Sequence, residues 1–333
     1  MKQIITLFVA IATMLSVSCD ALHTVTSNSV TSQGSPYELI VVCDQREWEG
    51  ALGDTLRAMF SANIPYLVQT EQYFSVFRVT TQSYDNLILK HRNIFVVNVN
   101  PTIQEPAIIV QYNQHATPQI VMTMQGPSEE SLTAYVTENR DMVMQVLEKA
   151  ERDRNIAYGE KFSVEMLDKL IYKKFDIDIN IPQGYTLRND AEDFVWLSYE
   201  FPTASQGLFI YSYPSDGNSS LKMEALLKAR NKYAALIPGP SEGSYMSTYM
   251  EVEPDYRLFR LDGRLWAEMR GLWNVTGDFM GGPYVSYSTI DVRTNRVLTL
   301  DCYVYSPKLG KRNFLRSLEH ILYSIKIPAE RQP

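Results

Sequence analysis

Short apolar runs alternate with stripes of helical spacing along the first half of the chain. Five runs there have the length and the apolar or β-branched composition of strands, namely residues 38–43, 74–79, 94–99, 107–112 and 119–124. The last two runs are close enough in sequence to form a hairpin. Helical stripes follow the first run and the last run. This order predicts a mixed-sheet α/β domain over residues 37–175.

Residues that are typical of helix caps indicate where the helices of this half begin. Asp44 followed by Glu47 predicts a capping box at the start of the first helix. Ser128, with two acidic residues directly after it, predicts the cap of one long helix that continues to Ala150. A further helix over residues 163–175 is expected to end the domain.

The second half has the pattern of antiparallel strands. Asp262-Gly263 between two alternating runs predicts a two-residue hairpin loop, because a type I′ turn needs positive φ at both positions. That loop places Arg257 opposite Glu268, which is an ordinary cross-strand ion pair in a sheet. We predict that residues 176–327 form an antiparallel sheet packed by helices. Residues 328–333 then form a tail, and the fold class of the whole chain is α+β, or mixed α/β.

Composition and charge narrow the class of protein. Hydrophobic residues make up 45% of the 333 positions and charged residues 21%, which is typical of a globular chain. The formal net charge of −7 argues against nucleic acid as a partner, since phosphate binding needs a basic surface. The four histidines are far apart in sequence and no Cys-x-x-Cys run occurs, so we expect no metal site and no cofactor.

The start of the chain has the pattern of a lipoprotein signal. Lys2 precedes a stretch, Ile4 to Leu15, that suits a signal peptide and is too short to cross a bilayer, which takes about 20 residues. Ser16-Val17-Ser18-Cys19 follows and resembles the bacterial lipobox, with Ser16 where Leu is usual. We expect residues 1–18 to be a signal peptide and Cys19 to carry a lipid. Ordinary cleavage nearby, which would leave Cys19 as a plain thiol, is the alternative.

A polar segment separates Cys19 from the first predicted strand. Residues 20–36 contain seven Ser or Thr and have no periodic apolar pattern, so residues 19–36 are predicted to be a lipidated cysteine and a flexible tether. No other stretch has eighteen consecutive apolar residues. We therefore expect a cell-envelope protein whose membrane contact is the lipid on Cys19 and whose body faces the periplasm.

Several specific runs resemble a known family. They are Gly271–Pro283, Val304–Pro307 and Lys311–Arg316, with Val41–Asp44 and Trp48–Gly50 near the start. Through them the body of the chain resembles the Bacteroidetes lipoproteins grouped as domain of unknown function 4837. The resemblance implies an envelope location and no assigned activity. Through Ile181-Pro182-x-Gly184-Tyr185 and the order of elements, the second half is also loosely similar to the PsbP/Mog1-type sandwich.

Two side chains are candidate nucleophiles. Cys43 ends a strand before a helix N-terminus, where the helix dipole can stabilise a thiolate, and it would need a base such as His91 or His115. One alternative is that Cys43 is a buried strand residue, and another is a disulfide with Cys302, which is not expected because the two cysteines lie in different predicted domains. Ser219 begins a Ser-x-x-Lys run, for which a helix cap is the simpler interpretation. No complete catalytic constellation is apparent in the sequence.

The run Asp278-Phe279-Met280-Gly281-Gly282 is the candidate interaction loop. Two apolar side chains between glycines can be presented to a partner on a turn. The alternative is that the glycines only turn the chain between two strands. The leading hypothesis is a non-enzymatic binding or assembly module with an envelope protein as partner. The alternative hypothesis is an envelope hydrolase that uses Cys43 or Ser219 as nucleophile.

Overall fold

The structure is a computed structural model that describes residues 30–328. The strands of this part are β1 (Glu38–Val42), β2 (Ser75–Val79), β3 (Asn93–Val99), β4 (Ala107–Tyr112), β5 (Ile120–Gly126), β6 (Thr186–Ala191), β7 (Phe194–Phe201), β8 (Ala204–Pro214), β9 (Tyr245–Thr248), β10 (Asp255–Leu261), β11 (Arg264–Thr276), β12 (Gly281–Asp291) and β13 (Arg296–Tyr305). The helices are α1 (Gln45–Glu49), α2 (Ala51–Phe60), α3 (Glu129–Glu138), α4 (Arg140–Lys161), α5 (Glu165–Phe175), α6 (Met223–Ala234) and α7 (Arg312–Tyr323).

The smaller sheet contains β1 to β5 in the spatial order β2-β1-β3-β5-β4. Its strands are parallel except for β4, which pairs antiparallel with β5. Leu39 and Val41 of β1 pack against α2, α3 and α4, while the alternating Ile40 and Val42 face the other side. The predicted mixed sheet and the hairpin within it are confirmed.

The helix ends of this half differ in part from the prediction. Ser128 caps α3, as predicted, and forms a reciprocal capping box with Ser131. Asp44 makes no cap hydrogen bond, because its carboxylate accepts from the backbone N and the hydroxyl of Thr81 instead. The expected long helix is divided at Asn139 into α3 and α4.

The larger sheet is antiparallel, in the order β10-β11-β12-β13-β8-β7-β6, and β9 pairs with the far end of β11. Asp262 and Gly263 have φ of 49° and 77°, and the hairpin pairs Arg257 with Glu268 in the predicted register. The sequence pattern missed β6, whose residues are mostly exposed and therefore lack apolar alternation. The predicted α+β class is confirmed.

Helices cover both faces of the larger sheet. α6 packs on one face, while α5 and α7 pack on the other, where Ile171 and Leu318 belong to the same apolar cluster. We predicted α5 as the end of the first domain. Its buried side chains lie instead with those of the larger sheet, because its apolar stripe matches that face.

Helix α7 also connects the two sheets, and we call its contact with the first half the joint. At its N-terminus, Glu71 accepts hydrogen bonds from the backbone N of Lys311 (2.5 Å) and of Arg312 (3.0 Å). Arg312 donates to the carbonyl oxygen of Gln72. Residues 30–34, which were expected in the tether, make backbone hydrogen bonds with residues 90–92 and 117 of the first half.

Candidate functional site

A chain of buried ion pairs crosses the joint, and Arg316 of α7 is at its centre. One guanidinium nitrogen of Arg316 lies 3.2 Å from Glu148 of α4, and another donates to Glu319 at 3.2 Å. Burial alone would lower the pKa of Arg316, but the two carboxylates outweigh it and raise that pKa. The first half therefore supplies an anion that the second half neutralises.

The same chain continues into the larger sheet through Arg270. Arg270 donates to Glu319 and to Glu268, and Glu268 also forms a bidentate pair with Arg257 at 2.9 Å for both bonds. The pair that we expected to be an ordinary cross-strand feature is thus one end of a larger network. Glu268 is only 2% exposed. Burial would raise its pKa, but Arg270 and Arg257 lower it to about 2.

A second carboxylate of α4 stabilises the smaller sheet beside the joint. Glu151 is fully buried and accepts from the side chains of Asn93 (2.7 Å) and Arg92 (2.8 Å) and from the backbone N of Tyr37 (3.2 Å). Arg154 lies 3.1 Å from the same carboxylate. The hydrogen bond from its backbone N to Glu151 fixes Tyr37 in a position where its side chain contacts α7.

Tyr37 and His320 meet across the joint. The Tyr37 hydroxyl lies 3.1 Å from Nε2 of His320 and 3.2 Å from a carboxylate oxygen of Glu148. Burial, assisted by Glu148, raises the pKa of Tyr37, so the phenol stays protonated. Burial, together with the charges of Arg316 and Arg152, lowers the pKa of His320, so its ring is neutral at physiological pH.

A cavity of about 150 Å³ lies next to His320, between α4, α7 and the loop before β6. His320 and Gln206 belong to its buried part, while Tyr158 and Gln183 are exposed at its rim. The other ring nitrogen of His320, Nδ1, is buried and has no hydrogen-bond partner among residues 30–328. The lining residues from all these elements carry no formal charge while His320 is neutral.

The loop that connects β11 and β12 holds Phe279 outside the fold. The Phe279 side chain is fully exposed to solvent, with a relative accessibility of 104%. Asp278 accepts from the backbone N of Phe279 (2.6 Å) and from the hydroxyl of Ser241. Met280 is partly buried against the cluster under α6, and its carbonyl accepts from the backbone N of Val275. The residues on both sides of Phe279 are therefore fixed.

The glycines of this loop have backbone reasons to be glycine. Gly277 has a φ of 90°, which side chains with a Cβ rarely adopt. A Cβ at Gly281 would lie 2.7 Å from the carbonyl oxygen of Trp273, and one at Gly282 would lie 2.1 Å from that of Val304. The alternative interpretation thus accounts for all three glycines, but it does not account for the exposed phenyl ring.

Cys43 is fully buried at the end of β1, and its thiol donates to the carbonyl oxygen of Asp44. Burial and the nearby charges of Glu47 and Asp44 raise the pKa of Cys43 to about 12. The helix that follows has only five residues, and its dipole does not offset these effects. Cys302 is buried in the larger sheet, and both thiols are free.

Ser219 lies in a short 3₁₀ turn before α6 and is exposed. Its hydroxyl donates to the carbonyl oxygen of Asp216, so the expectation that it caps α6 is not met. Cys19, the predicted lipidation site, lies outside the described residues. Within residues 30–328, no group of three His, Cys, Asp or Glu side chains is placed to hold a metal ion. In the same range, no helix has the length and apolar character needed to span a membrane.

Sequence reasoning missed the joint, because its members are far apart in the chain. Tyr37 and His320 are separated by 283 positions. One signal was present: Arg316, Glu319 and His320 follow helical spacing beside the apolar stripe of α7. Polar residues at such positions indicate a polar partner for the helix, although they do not identify it.

The matches to known protein families divide the chain between residues 158 and 163, which lie near the end of α4 and just before α5. Residues 163–324 match a family model described as Domain of unknown function (DUF4837), and residues 32–158 match another, Domain of unknown function (DUF8532). The resemblance to the first family is thus confirmed for the second half, while the first half matches a separate model. No curated protein matches the chain. A solved structure of a Protein Mog1 mutant is similar at 10% identity and a TM-score of 0.31, over 45% of this chain and 90% of that one.

Proposed function

We propose that this protein is a lipid-anchored binding or assembly module of the cell envelope that faces the periplasm and docks an envelope protein through Phe279. The lipid on Cys19 holds the body at the membrane, and the loop at residues 277–282 provides the contact. Phe279 carries the proposal, because it is the fully exposed aromatic side chain of an otherwise fixed loop.

Aromatic residues contribute strongly to protein interfaces, since they bury a large apolar area with few rotatable bonds. Ordering a mobile loop costs free energy on binding, and a loop that is already fixed avoids part of that cost. Asp278 and Met280 fix the two sides of Phe279 through hydrogen bonds and packing. The exposed ring can therefore enter an apolar pocket of a partner with little loss of conformational entropy.

The alternative, a hydrolase, has no comparable support at its two candidate nucleophiles. The pKa of Cys43 is raised to about 12, which keeps the thiol protonated at neutral pH. The two ring nitrogens of His91 face the carbonyl oxygen of Asn93 (3.1 Å) and the carboxylate of Glu38 (3.4 Å) rather than Cys43. The Ser219 hydroxyl donates to a backbone carbonyl rather than to a base. We therefore propose binding rather than catalysis.

The test is crosslinking in the native envelope with a photoreactive amino acid at position 279. We expect one reproducible partner band. Excess unlabelled wild-type chain should compete this band away, and excess unlabelled Phe279→Ala chain should not. The matched control carries the probe at Tyr172, an aromatic residue of α5 that is 51% exposed. A partner that crosslinks equally well from position 172, or no crosslink from 279 with several chemistries, would contradict docking through this loop.

The anchor has a separate test. We expect Cys19→Ala to remain unprocessed or to leave the membrane fraction, because the lipid is attached to the cysteine thiol. Mass spectrometry of the N-terminal peptide and membrane fractionation measure the two effects. Unchanged mass and unchanged membrane retention in this variant would remove the lipoprotein proposal, while the docking proposal would remain open to its own test.

A further inference from the structure

We infer that one face of the smaller sheet rests on the surface of the lipid bilayer. This is the face of β1 to β5 on which Ile40, Val42, Ile94 and Val121 lie, and we call it the outer face. The inference rests on the proposed lipid anchor at Cys19, and it adds which surface of the body the anchor brings to the membrane.

The outer face has no layer of helices over it. A mainly parallel sheet normally has helices on both faces. Helices α2, α3 and α4 pack on the opposite face, whereas the apolar cluster of the outer face includes no residue of α1 to α7 in the described part of the chain. Its cover is the loop at residues 80–92, from which Tyr84 and Ile88 pack on the cluster. The sheet therefore lacks its usual second layer on this side.

Three exposed apolar side chains extend across the outer face. Leu87 of the covering loop is 66% exposed, Phe77 is 52% exposed and Ile109 is 43% exposed. Phe77 pairs with Ile40 on the edge strand β2, and Ile109 pairs with Thr123 on the opposite edge strand, β4. The apolar groups are thus spread from one edge of the sheet to the other. Such a spread suits a broad apolar surface rather than a pocket that takes one side chain.

The outer face carries little charge. Among its strand residues Glu38 is the charged one, and the covering loop adds Asp85 and Lys90, whose charges offset each other. Arg92, at the end of the loop, is paired with the buried Glu151. Little hydration is therefore lost against lipid, and anionic headgroups have no basic cluster to bind.

The open edges of the sheet limit the depth of this contact. Strands β2 and β4 are the edges of the smaller sheet, and each has backbone groups that no neighbouring strand pairs. Unpaired backbone groups do not enter the hydrocarbon region of a bilayer. We therefore expect the side chains of Leu87, Phe77 and Ile109 to reach the interface while the strands stay above it.

The anchored end of the chain enters the body on this side. Residues 30–34 lie along residues 90–92, at the end of the covering loop. The carboxylate of Glu38, on the outer face, accepts from the backbone N of Ser35 at 2.8 Å. The first of the entering residues is 11 positions after Cys19, and a chain of that length spans at most about 40 Å. So short a link gives the outer face a high effective concentration at the bilayer, and a weak apolar contact then suffices.

The test is hydrogen exchange, measured by mass spectrometry, on the chain from residue 19 onward attached to phosphatidylcholine vesicles. The attachment is the native lipid or, if the mass shows an unmodified Cys19, a maleimide lipid coupled to its thiol. Cys43 and Cys302 are buried and should not react. We expect the amides of residues 80–92 to exchange more slowly than in the chain without a lipid, by about threefold or more. The exposed residues 307–310 of the second half should not change, and high salt should not reverse the protection.

Two triple variants sharpen the test. The first replaces the apolar side chains of the outer face by serine and should abolish the protection without unfolding, because all three are exposed: Phe77→Ser, Leu87→Ser and Ile109→Ser. The matched control replaces three apolar residues of similar exposure in the second half and should keep the protection: Leu236→Ser, Leu258→Ser and Val292→Ser.

Four results would overturn the inference. These are the absence of protection in an anchored chain, equal protection of residues 307–310, protection that persists in the first triple variant, and protection that disappears when each vesicle carries one chain. The last result would identify a second copy of the chain as the cover of the outer face. The mass of the N-terminal peptide reports the native anchor by itself, so the loss of the anchor and the loss of this contact are separate results.

Discussion

At the scale of single residues, Glu268 shows how burial and opposite charges compete. Its pKa is about 2 in the folded chain, below the usual 4.5, because Arg270 and Arg257 outweigh the cost of burial. A carboxyl with a lowered pKa contributes stability that is complete above its unfolded pKa and is lost as the pH falls through its folded value. The relevant window is therefore between pH 4.5 and 2.

We predict that Glu268→Gln removes most of this pH dependence. The wild-type free energy of unfolding should fall by about 3 kcal/mol on account of Glu268 between pH 5 and 2, and the variant should lose much less. At pH 7 the variant should be destabilised by about 3 kcal/mol, because the buried Arg270 loses a partner. Urea unfolding at several pH values measures both effects. Glu165→Gln, at an exposed carboxylate, is the control, and an equal change there would contradict the prediction.

The Asp262-Gly263 turn shows what the sequence could predict at this scale. Positive φ at two adjacent positions follows from local chemistry, and the register then placed Arg257 opposite Glu268 as observed. The burial of Glu268 could not be predicted in this way, because it depends on Arg270 and on Glu319 of a distant helix. The predicted cap at Asp44 is wrong for a similar reason. The Asp44 carboxylate accepts from Thr81, which lies outside the local helix.

At the scale of elements, α7 has its cap supplied by the other half of the chain. Lys311 precedes the helix and makes no side-chain cap, whereas Glu71 accepts two backbone N–H groups there. The first turn of a helix leaves such donors unpaired and also favours a nearby negative charge. Glu71 therefore stabilises α7 and fixes the first half against it in one contact.

We predict that Glu71→Ala lowers the free energy of unfolding by about 1–2 kcal/mol. Amide hydrogen exchange should become faster in the first turn of α7 and remain slow in β12 and β13. Urea unfolding and exchange measured by mass spectrometry give the two values. Glu105→Ala, in the exposed loop before β4, should change neither, and a uniform increase of exchange across the larger sheet would argue against a local capping role.

Element types were predictable wherever apolar periodicity was strong. The strands of the smaller sheet and the amphipathic α7 follow from their own sequences. β6 could not be predicted, because it is exposed at an edge and has no apolar alternation. The breaks in the helices also escaped prediction, since Gly50 and Asn139 interrupt stripes that continue on both sides.

At the scale of the whole molecule, the joint couples two sheets that have separate apolar cores. Arg316 is its central cation, between Glu148 of the first half and Glu319 of α7 itself. A buried ion pair adds little over apolar packing, but removal of one partner leaves an uncompensated charge and costs about 3–5 kcal/mol. The two halves should therefore unfold together while Arg316 is present.

We predict one calorimetric transition for the wild-type chain and two for Arg316→Met. The first transition of the variant should occur at lower temperature, because Glu148 would lose the pairing with Arg316 and Glu319 would keep only Arg270. Adding Glu148→Gln to Arg316→Met should restore part of the lost stability, which a double-mutant cycle measures. Two well-separated transitions in the wild-type chain would contradict the coupling.

The position of α7 after the strands of both sheets also affects the order in which the protein folds during synthesis. Synthesis proceeds from the N-terminus, and domains that emerge first can fold first. Tyr37 and Glu148 are thus made long before Arg316 and His320, and the strands of both sheets precede α7. Until α7 has been synthesised, Glu148 lacks the partner Arg316, and its carboxylate remains open to water. The joint can close only after α7 has been made, so its closure distinguishes a chain that contains this helix from every shorter one.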